Sequence, residues 1–406
     1  YLLSTAGFLL PSGMGSDLYG RKRVFLLGGI LIIISSIGSV FSPTGNILLI
    51  FRVLQGSGAA MMFATSSPLV TTIFPPHKRG RMLGVSVAAV YLGLSAGPFL
   101  GGIFSHLYGW RSLFYLNAAG MTVAVIVGHS LIMKDQPDPA TRGKHIDYVG
   151  SVLFAASVLC GMIGLTSIVS PKGLPLFIAG VGLLTLFLIY ELRAETPLVP
   201  VRIFRRNRVF IFSNMAAMVN YSATFAISFF LSLYLQYVKG YTPDRAGFVL
   251  VAQPIVQSAF SPLAGKLSDT HDPRILPSAG MGIIALSLLV VALYPGVMPV
   301  GVIIIILAIL GFGFALFSSP NTNAVLGSVE HRQLGIASSI LGMMRVLGQV
   351  ISMAFAILLV AHFVGGSRID ARNTPAFLTA VRIGFGIFSV LCIAGIPASW
   401  ARGRKK

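Results

Sequence analysis

The stretch from Gly84 to Gly102, GVSVAAVYLGLSAGPFLGG, decides how the rest of this chain is read. Glycines stand at 84, 93, 97, 101 and 102 and a proline at 98, all inside an apolar run long enough for a helix. In water each glycine would cost such a helix roughly 1 kcal/mol and the proline about 3. Lipid changes the balance, because its interior leaves backbone polar groups only one another, and small residues let neighbouring helices approach closely. Gly93-x-x-x-Gly97 alone points to close packing and nothing more. The expectation is a face without side chains at 93, 97, 101 and 102 on which a neighbour packs directly, with Pro98 freeing a carbonyl one turn earlier so that the helix can bend.

Composition around this segment admits only a membrane protein. Hydrophobic residues make up 55% of the chain and charged ones 10%, whereas a soluble domain carries about 25% charged residues. The net charge of +19 does not mark a nucleic-acid surface, since the basic residues sit in short loops between apolar runs instead of on one soluble face. Cys160 and Cys392 both fall in the middle of apolar segments and read as small core residues, not as a disulfide. No Cys/His set with metal spacing, nucleotide loop or nucleophile elbow occurs. This argues against an ATP-driven pump and against a membrane enzyme, and no cofactor is expected.

A span needs about 20 residues. Twelve apolar stretches of that order run between Val24 and Trp400, among them Ile47 to Phe74, Met82 to Leu107, Val209 to Tyr237 and Ala246 to Leu267. A shorter apolar run, Tyr1 to Gly13, precedes them, so the chain is expected to lack its first helix, which would make fourteen. Alternate loops hold 21 and 6 basic residues. That bias places the richer side and the C-terminus in the cytoplasm, in a multi-pass protein of the cell (inner) membrane. Gly13-x3-Asp17 and Gly265-x3-Asp269 both close a helix on the basic side, at corresponding places in two halves. Such a repeat suits a duplicated transporter. The expected organisation is an N-terminal bundle over 1–133, a central linker with an inserted helix pair over 134–208, and a C-terminal bundle with a basic tail over 209–406.

The full spacing Gly84-x8-Gly93-x3-Gly97-Pro98-x2-Gly101-Gly102 resembles the antiporter signature of the fifth helix in proton-driven exporters of the major facilitator superfamily. Three further motifs carry the resemblance. Gly13-x3-Asp17-x2-Gly20-Arg21-Lys22 is similar to the signature between the second and third helices, where the resemblance implies a cytoplasmic charge cluster of Asp17 and Arg21 that holds the outward-facing state together. Asp17 could do so by pairing with Arg21 or by capping a helix. Arg52-x2-Gln55-Gly56 resembles the fourth-helix signature, which implies that Arg52 is tied to proton transfer. An arginine inside a span costs roughly 2.5 to 3.5 kcal/mol and should therefore face the bundle interior. Gly109-Trp110-Arg111-x2-Phe114-x2-Asn117 is by physics an interfacial anchor, and by resemblance marks the sixth helix of the fourteen-span drug:proton antiporter branch.

The resemblance implies an all-α major facilitator fold of two six-helix bundles with the inserted pair between them. It further implies alternating access, with export of small hydrophobic or amphipathic compounds in exchange for protons across the lipid bilayer. All eleven acidic residues map to loops or span ends. The proton carrier is accordingly expected on the missing first helix, next to Arg52. Candidate cavity residues are Tyr91, Asn214 and Tyr221 seven apart, Gln253 and Gln257 four apart, then Asn321, Asn323, Arg345 and Gln349. Alternative readings are a lipid or siderophore exporter of the same fold and a non-transporting receptor.

Overall fold

The computed structural model describes residues 1–132, 146–167, 170–194, 197–199, 207–294, 297–365 and 373–402. Among them every regular element is helical, and twelve helical stretches are long and apolar enough to cross a membrane. The α-helices are α1 (Leu2–Tyr19), α2 (Arg21–Val40), α3 (Gly45–Ile73), α4 (Pro76–Tyr108), α5 (Ser112–Leu131), α6 (Tyr148–Thr166), α7 (Gly173–Glu191) and α8 (Arg208–Thr224). They continue with α9 (Ile227–Leu233), α10 (Pro243–Leu250), α11 (Ala252–Thr270), α12 (Ile275–Leu293), α13 (Val300–Gly327), α14 (Leu334–Val364) and α15 (Thr374–Trp400). These twelve stretches coincide with the twelve expected from the sequence, and α1, where the shorter apolar run was read, is an 18-residue helix outside them.

Two expected loops are largely helix. The run from Gly13 to Arg23 stays helical through Tyr19, and only Gly20 interrupts it, at φ 97 and ψ 138, a conformation open to glycine because it has no Cβ. The basic run before Met82 lies inside α4, whose first residue is Pro76, where a proline's missing N–H costs nothing. Two expected continuous spans are broken instead. The first stops at Thr224 and resumes at Ile227, ending in a π-helical turn over Tyr234–Val238. At that break the Ala226 N–H donates to Ser352 Oγ at 3.0 Å, which satisfies a donor the ladder has released. The second starts early, at Pro243, and divides at Val251.

Packing groups the chain into two compact units. One comprises Tyr1–Ile73, Phe99–Asn207 and Leu326–Met343, the other Phe74–Pro98, Arg208–Val325 and Met344–Lys406. In the first, α2 lies along α3 and α5, α1 along α3 and α6, and α6 with α7 forms a hairpin. Gly28 and Gly58 face one another so closely that a Cβ on either would come within 2.7 Å of the other's carbonyl oxygen. The hairpin is tied at its base. Asp147 accepts the Gly150 N–H at 2.9 Å and the Tyr190 hydroxyl at 3.1 Å, while Glu191 accepts the N–H groups of Leu198 and Val199.

The second unit has an aromatic core in which Phe230 meets Phe385 and Phe388, with Leu307, Leu310 and Cys392 fully buried around them. Cys160 and Cys392 are unpaired. Arg402, expected in the basic tail, is buried instead and reaches the Pro273 carbonyl at 3.4 Å, and its burial pushes the guanidinium down to about 9. The rest of the tail, most of the linkers flanking the inserted pair, and Asp135, Asp138, Glu195 and Asp370 lie outside the described residues.

Candidate functional site

In the first unit, the last turn of α1 delivers Asp17 to the start of α14. Its two oxygens accept the backbone N–H groups of Gly335 and Ile336, each at 2.9 Å, and Arg21 stands 3.5 Å away. The opening turn of a helix carries N–H groups with no partner inside the helix and the positive end of its dipole, so it is a natural seat for a carboxylate. Both members of the pair are nearly buried, with side chains 9% and 6% exposed. Arg21 also donates to Thr72 Oγ1 and to the His331 carbonyl, each at 2.5 Å. Pairing and capping, posed above as alternatives, occur together. Burial pushes the Asp17 carboxyl, at the helix end beyond the apolar run, up to about 6, against the pull of the Ile336 N–H, Arg21 and the Gly335 N–H.

The second unit repeats the device. Asp269, in the last turn of α11, accepts the N–H groups of Gly80 at 2.7 Å and Arg81 at 3.2 Å, near the start of α4. Asn323 donates to it at 3.4 Å and to Ser268 Oγ at 2.9 Å. Each carboxylate follows by four residues a glycine pressed against the receiving helix: Gly13 abuts Gly335 and Ser339, and Gly265 abuts Gly80. The repeated Gly-x3-Asp in sequence is therefore a repeated joint in space. Sequence reading found Gly13, Asp17, Gly20, Arg21 and Asp269 but missed the receivers Gly80 and Gly335. A signal existed, a glycine soon after a basic turn in His77-Lys-Arg-Gly80 and in His331-Arg-Gln-Leu-Gly335.

Arg52 and Gln55 come together as expected. Arg52 Nη1 donates to Gln55 Oε1 at 3.1 Å, Gln55 donates to Ser36 Oγ at 2.9 Å, and the guanidinium lies over the Phe114 ring, 4.7 Å from its centroid. Arg52, Leu48, Trp110, Leu113, Phe114 and Asn117 line a cavity of about 300 Å³. Among the described residues no carboxylate pairs with Arg52.

The glycine-rich helix departs from its expectation. Gly84 is closely packed, since a Cβ there would lie 2.8 Å from Pro262 Cα. Around Gly93 and Gly97 nothing lies within 4 Å, and Gly101 has only Leu113 Cδ2 at 3.8 Å. Among the described residues Gly93 and Gly97 therefore meet no neighbour, and Gly101 meets only that leucine methyl. The helix runs on through Pro98 and Gly102, whose surroundings lie outside the described residues.

Four expected cavity residues meet in the second unit. The partly exposed Tyr91 places its hydroxyl beside Tyr221 and Gln257, with Arg345 close by. Arg345 lies over the Tyr221 ring at 5.8 Å and donates through Nη2 to Thr322 Oγ1 at 2.6 Å. Neither end of the fully buried Gln257 amide makes a hydrogen bond of normal geometry, and the buried Asn321 Oδ1 and Arg345 Nε lack partners too. Asn214 spends its amide on the Phe210 carbonyl at 2.8 Å. No hydrogen bond joins Gln253 or Gln349 to this group among the described residues. Thr322, overlooked in the sequence, is the residue that orients Arg345.

The sequence profile of the Major Facilitator Superfamily matches residues 1–353 and again 214–406, and the chain belongs to that superfamily. It is 29% identical over 399 residues to the riboflavin transporter RibZ of Clostridioides difficile (strain 630), covering 98% of this chain and 86% of that one. It is 28% identical over 363 residues to the multidrug resistance protein Stp of Mycobacterium tuberculosis (strain ATCC 25618 / H37Rv), covering 87% of this chain and 66% of that one. Among solved structures, the human organic anion transporter MFSD10 aligns with a TM-score of 0.68 at 14% identity, over 98% of this chain and 82% of that one. The proton:xylose symporter XylE aligns at 0.64 and 15% identity, over 98% and 84%. At these identities the structures establish the all-helical fold alone.

Proposed function

We propose that the protein is a proton-coupled secondary transporter that exports small hydrophobic or amphipathic organic compounds by alternating access. The observation that carries the reading is the duplicated joint: Asp17 on the start of α14 and Asp269 on the start of α4. Two equivalent, breakable contacts on one side of the membrane are what a carrier needs to close one end of its path and release it. In this reading both contacts are cytoplasmic, form in the outward-facing state and break in the inward-facing one. The sequential halves 1–133 and 209–406 are the moving bundles, with 134–208 as an insertion. Arg52 and Gln55 serve proton coupling, and the carboxylate that exchanges the proton opposite Arg52 is not among the described residues.

The multidrug relative supports the drug-export reading. A second reading, a carrier of riboflavin instead of drugs, is favoured by the relative of that name, which matches nearly the whole chain. The test is reconstitution into vesicles with an imposed pH gradient. Substrate accumulation that collapses on adding a protonophore is the expected result, and flux indifferent to the gradient would contradict proton coupling.

A further inference from the structure

The polar cluster in the second unit restricts what can bind there. It holds a permanent cation, Arg345, well inside α14, where a charge is costly unless compensated. Every described carboxylate sits at a helix end or in a turn, and among the described residues Arg345 has no acidic partner. Thr322 and the Tyr221 ring satisfy one face of the guanidinium and leave Nε without an acceptor. Beside it, the buried Gln257 amide offers a donor and an acceptor, neither in a hydrogen bond of normal geometry although the Tyr91 hydroxyl lies next to it, and Asn321 Oδ1 is a further unused acceptor. Buried polar atoms left unpaired carry their full desolvation penalty, so a partner that supplies the missing bonds is strongly favoured over one that does not.

The two ends of a primary amide pair side by side with a lactam or imide edge, which presents N–H and C=O in the complementary order. Tyr91 and Tyr221 add aromatic surface for a flat ring. A planar lipophilic cation shares only the stacking surface: it brings no paired N–H and C=O to the Gln257 amide and would have to enter beside an unneutralised guanidinium, with no carboxylate among the described residues to receive it. We propose that Tyr91, Tyr221, Gln257, Asn321, Thr322 and Arg345 form a binding site for planar heteroaromatic compounds of neutral or negative charge bearing an imide or lactam edge, and that the site discriminates against planar cations. This inference rests on the transport reading above and narrows its substrate class.

The test uses the full chain in nanodiscs and fluorescence anisotropy with three probes: lumichrome, its N1,N3-dimethyl derivative and ethidium. Lumichrome binds at least tenfold more tightly than ethidium, and methylating both N1 and N3 weakens it about tenfold by removing every N–H that sits beside a carbonyl on the ring edge. Gln257→Leu weakens lumichrome without helping ethidium. Arg345→Met narrows the preference, whereas Arg345→Lys, which keeps the charge, still excludes ethidium, and thermal melting checks that each variant is folded. Ethidium binding as tightly as lumichrome, lumichrome affinity unmoved by both substitutions, or no binding of lumichrome to the unmodified chain would each overturn the proposal. Proton-driven flux in vesicles separates the two readings. Selective binding without it removes the coupling and keeps the site, and coupled flux with ethidium preference does the reverse.

Discussion

Asp17 and Asp269 each stand four residues after a glycine and each accept two successive backbone N–H groups, Asp17 in the first turn of α14 and Asp269 one turn further into α4, but their surroundings differ. Asp17 is held beside Arg21, which is itself bound to Thr72 and the His331 carbonyl, so one residue pair fastens several chain segments. Asp269 is supported by the neutral amide of Asn323 and the Ser268 hydroxyl that this amide also reaches. The shared geometry belongs to the duplication, and the different partners set how much is lost when each joint is disturbed. Removing Asp17 takes a carboxylate from beside a nearly buried arginine, a penalty added to the lost hydrogen bonds.

The likeness is tested most severely by filling the glycine contacts. Gly335→Val and Gly265→Val each put branched carbons where the opposing helix stands, and each should cost about 3 kcal/mol, seen as loss of thermal stability and of vesicle efflux. Equal losses support one repeated joint, and an innocuous change at either position would break the equivalence. The difference is tested by truncating the acids. Asp17→Ala should cost about 2 kcal/mol of the joined state and lower efflux more than tenfold. Asp269→Ala should lower it severalfold, and both should leave substrate affinity in detergent unchanged. A greater effect at 269 than at 17 would reverse the ranking drawn from Arg21.

Acidity separates the joints further. Asp17 holds its proton more strongly in the joined state, up to about 6, than in water. The state that binds the proton more tightly gains as pH falls, so the Asp17 joint should be favoured by about tenfold on going from pH 7 to pH 5, and should lose that gain as pH rises through about 6. Hydrogen exchange at the Gly335 and Ile336 amides, corrected for intrinsic rates, reads this directly, and Asp17→Ala should remove the dependence. The smallest effect is on α4. Gly97→Ala meets nothing within 4 Å and should change stability by less than about 1 kcal/mol, toward greater helix stability. Gly84→Ala, against Ser261 and Pro262, should be destabilising, and equal behaviour of the two would mean that the stripe is packed after all.

Hydropathy and loop charge made the twelve spans legible, because lipid enforces helix wherever about 20 apolar residues run together. The same uniformity hid the breaks at Phe225–Ala226 and at Val251, since an apolar run gives no sign that a ladder has been interrupted and repaired by a distant Ser352. Asp17 and Asp269 were readable as charged residues at helix ends. Gly80 and Gly335 were harder to read, because they receive a carboxylate through backbone N–H groups, which every residue but proline has, and only their place soon after a basic turn marks them. The stripe at 93, 97 and 101 misled on packing because small side chains say that a neighbour could approach closely, not that one does. Tyr91, Tyr221, Gln257 and Arg345 were selected as polar residues within spans, and only the structure shows which of the nine candidates gather.

The central claim is that these carboxylate joints open and close as the carrier works, and the distance across one of them tests it most directly. Spin labels at positions 19 and 332, both exposed beside the Asp17 joint, would be measured by double electron–electron resonance in nanodiscs. The account predicts a dominant short distance in the otherwise unmodified chain and a shift toward a longer one in Asp17→Ala, more pronounced when Asp269→Ala is added. A distance distribution that neither substitution moves would contradict it.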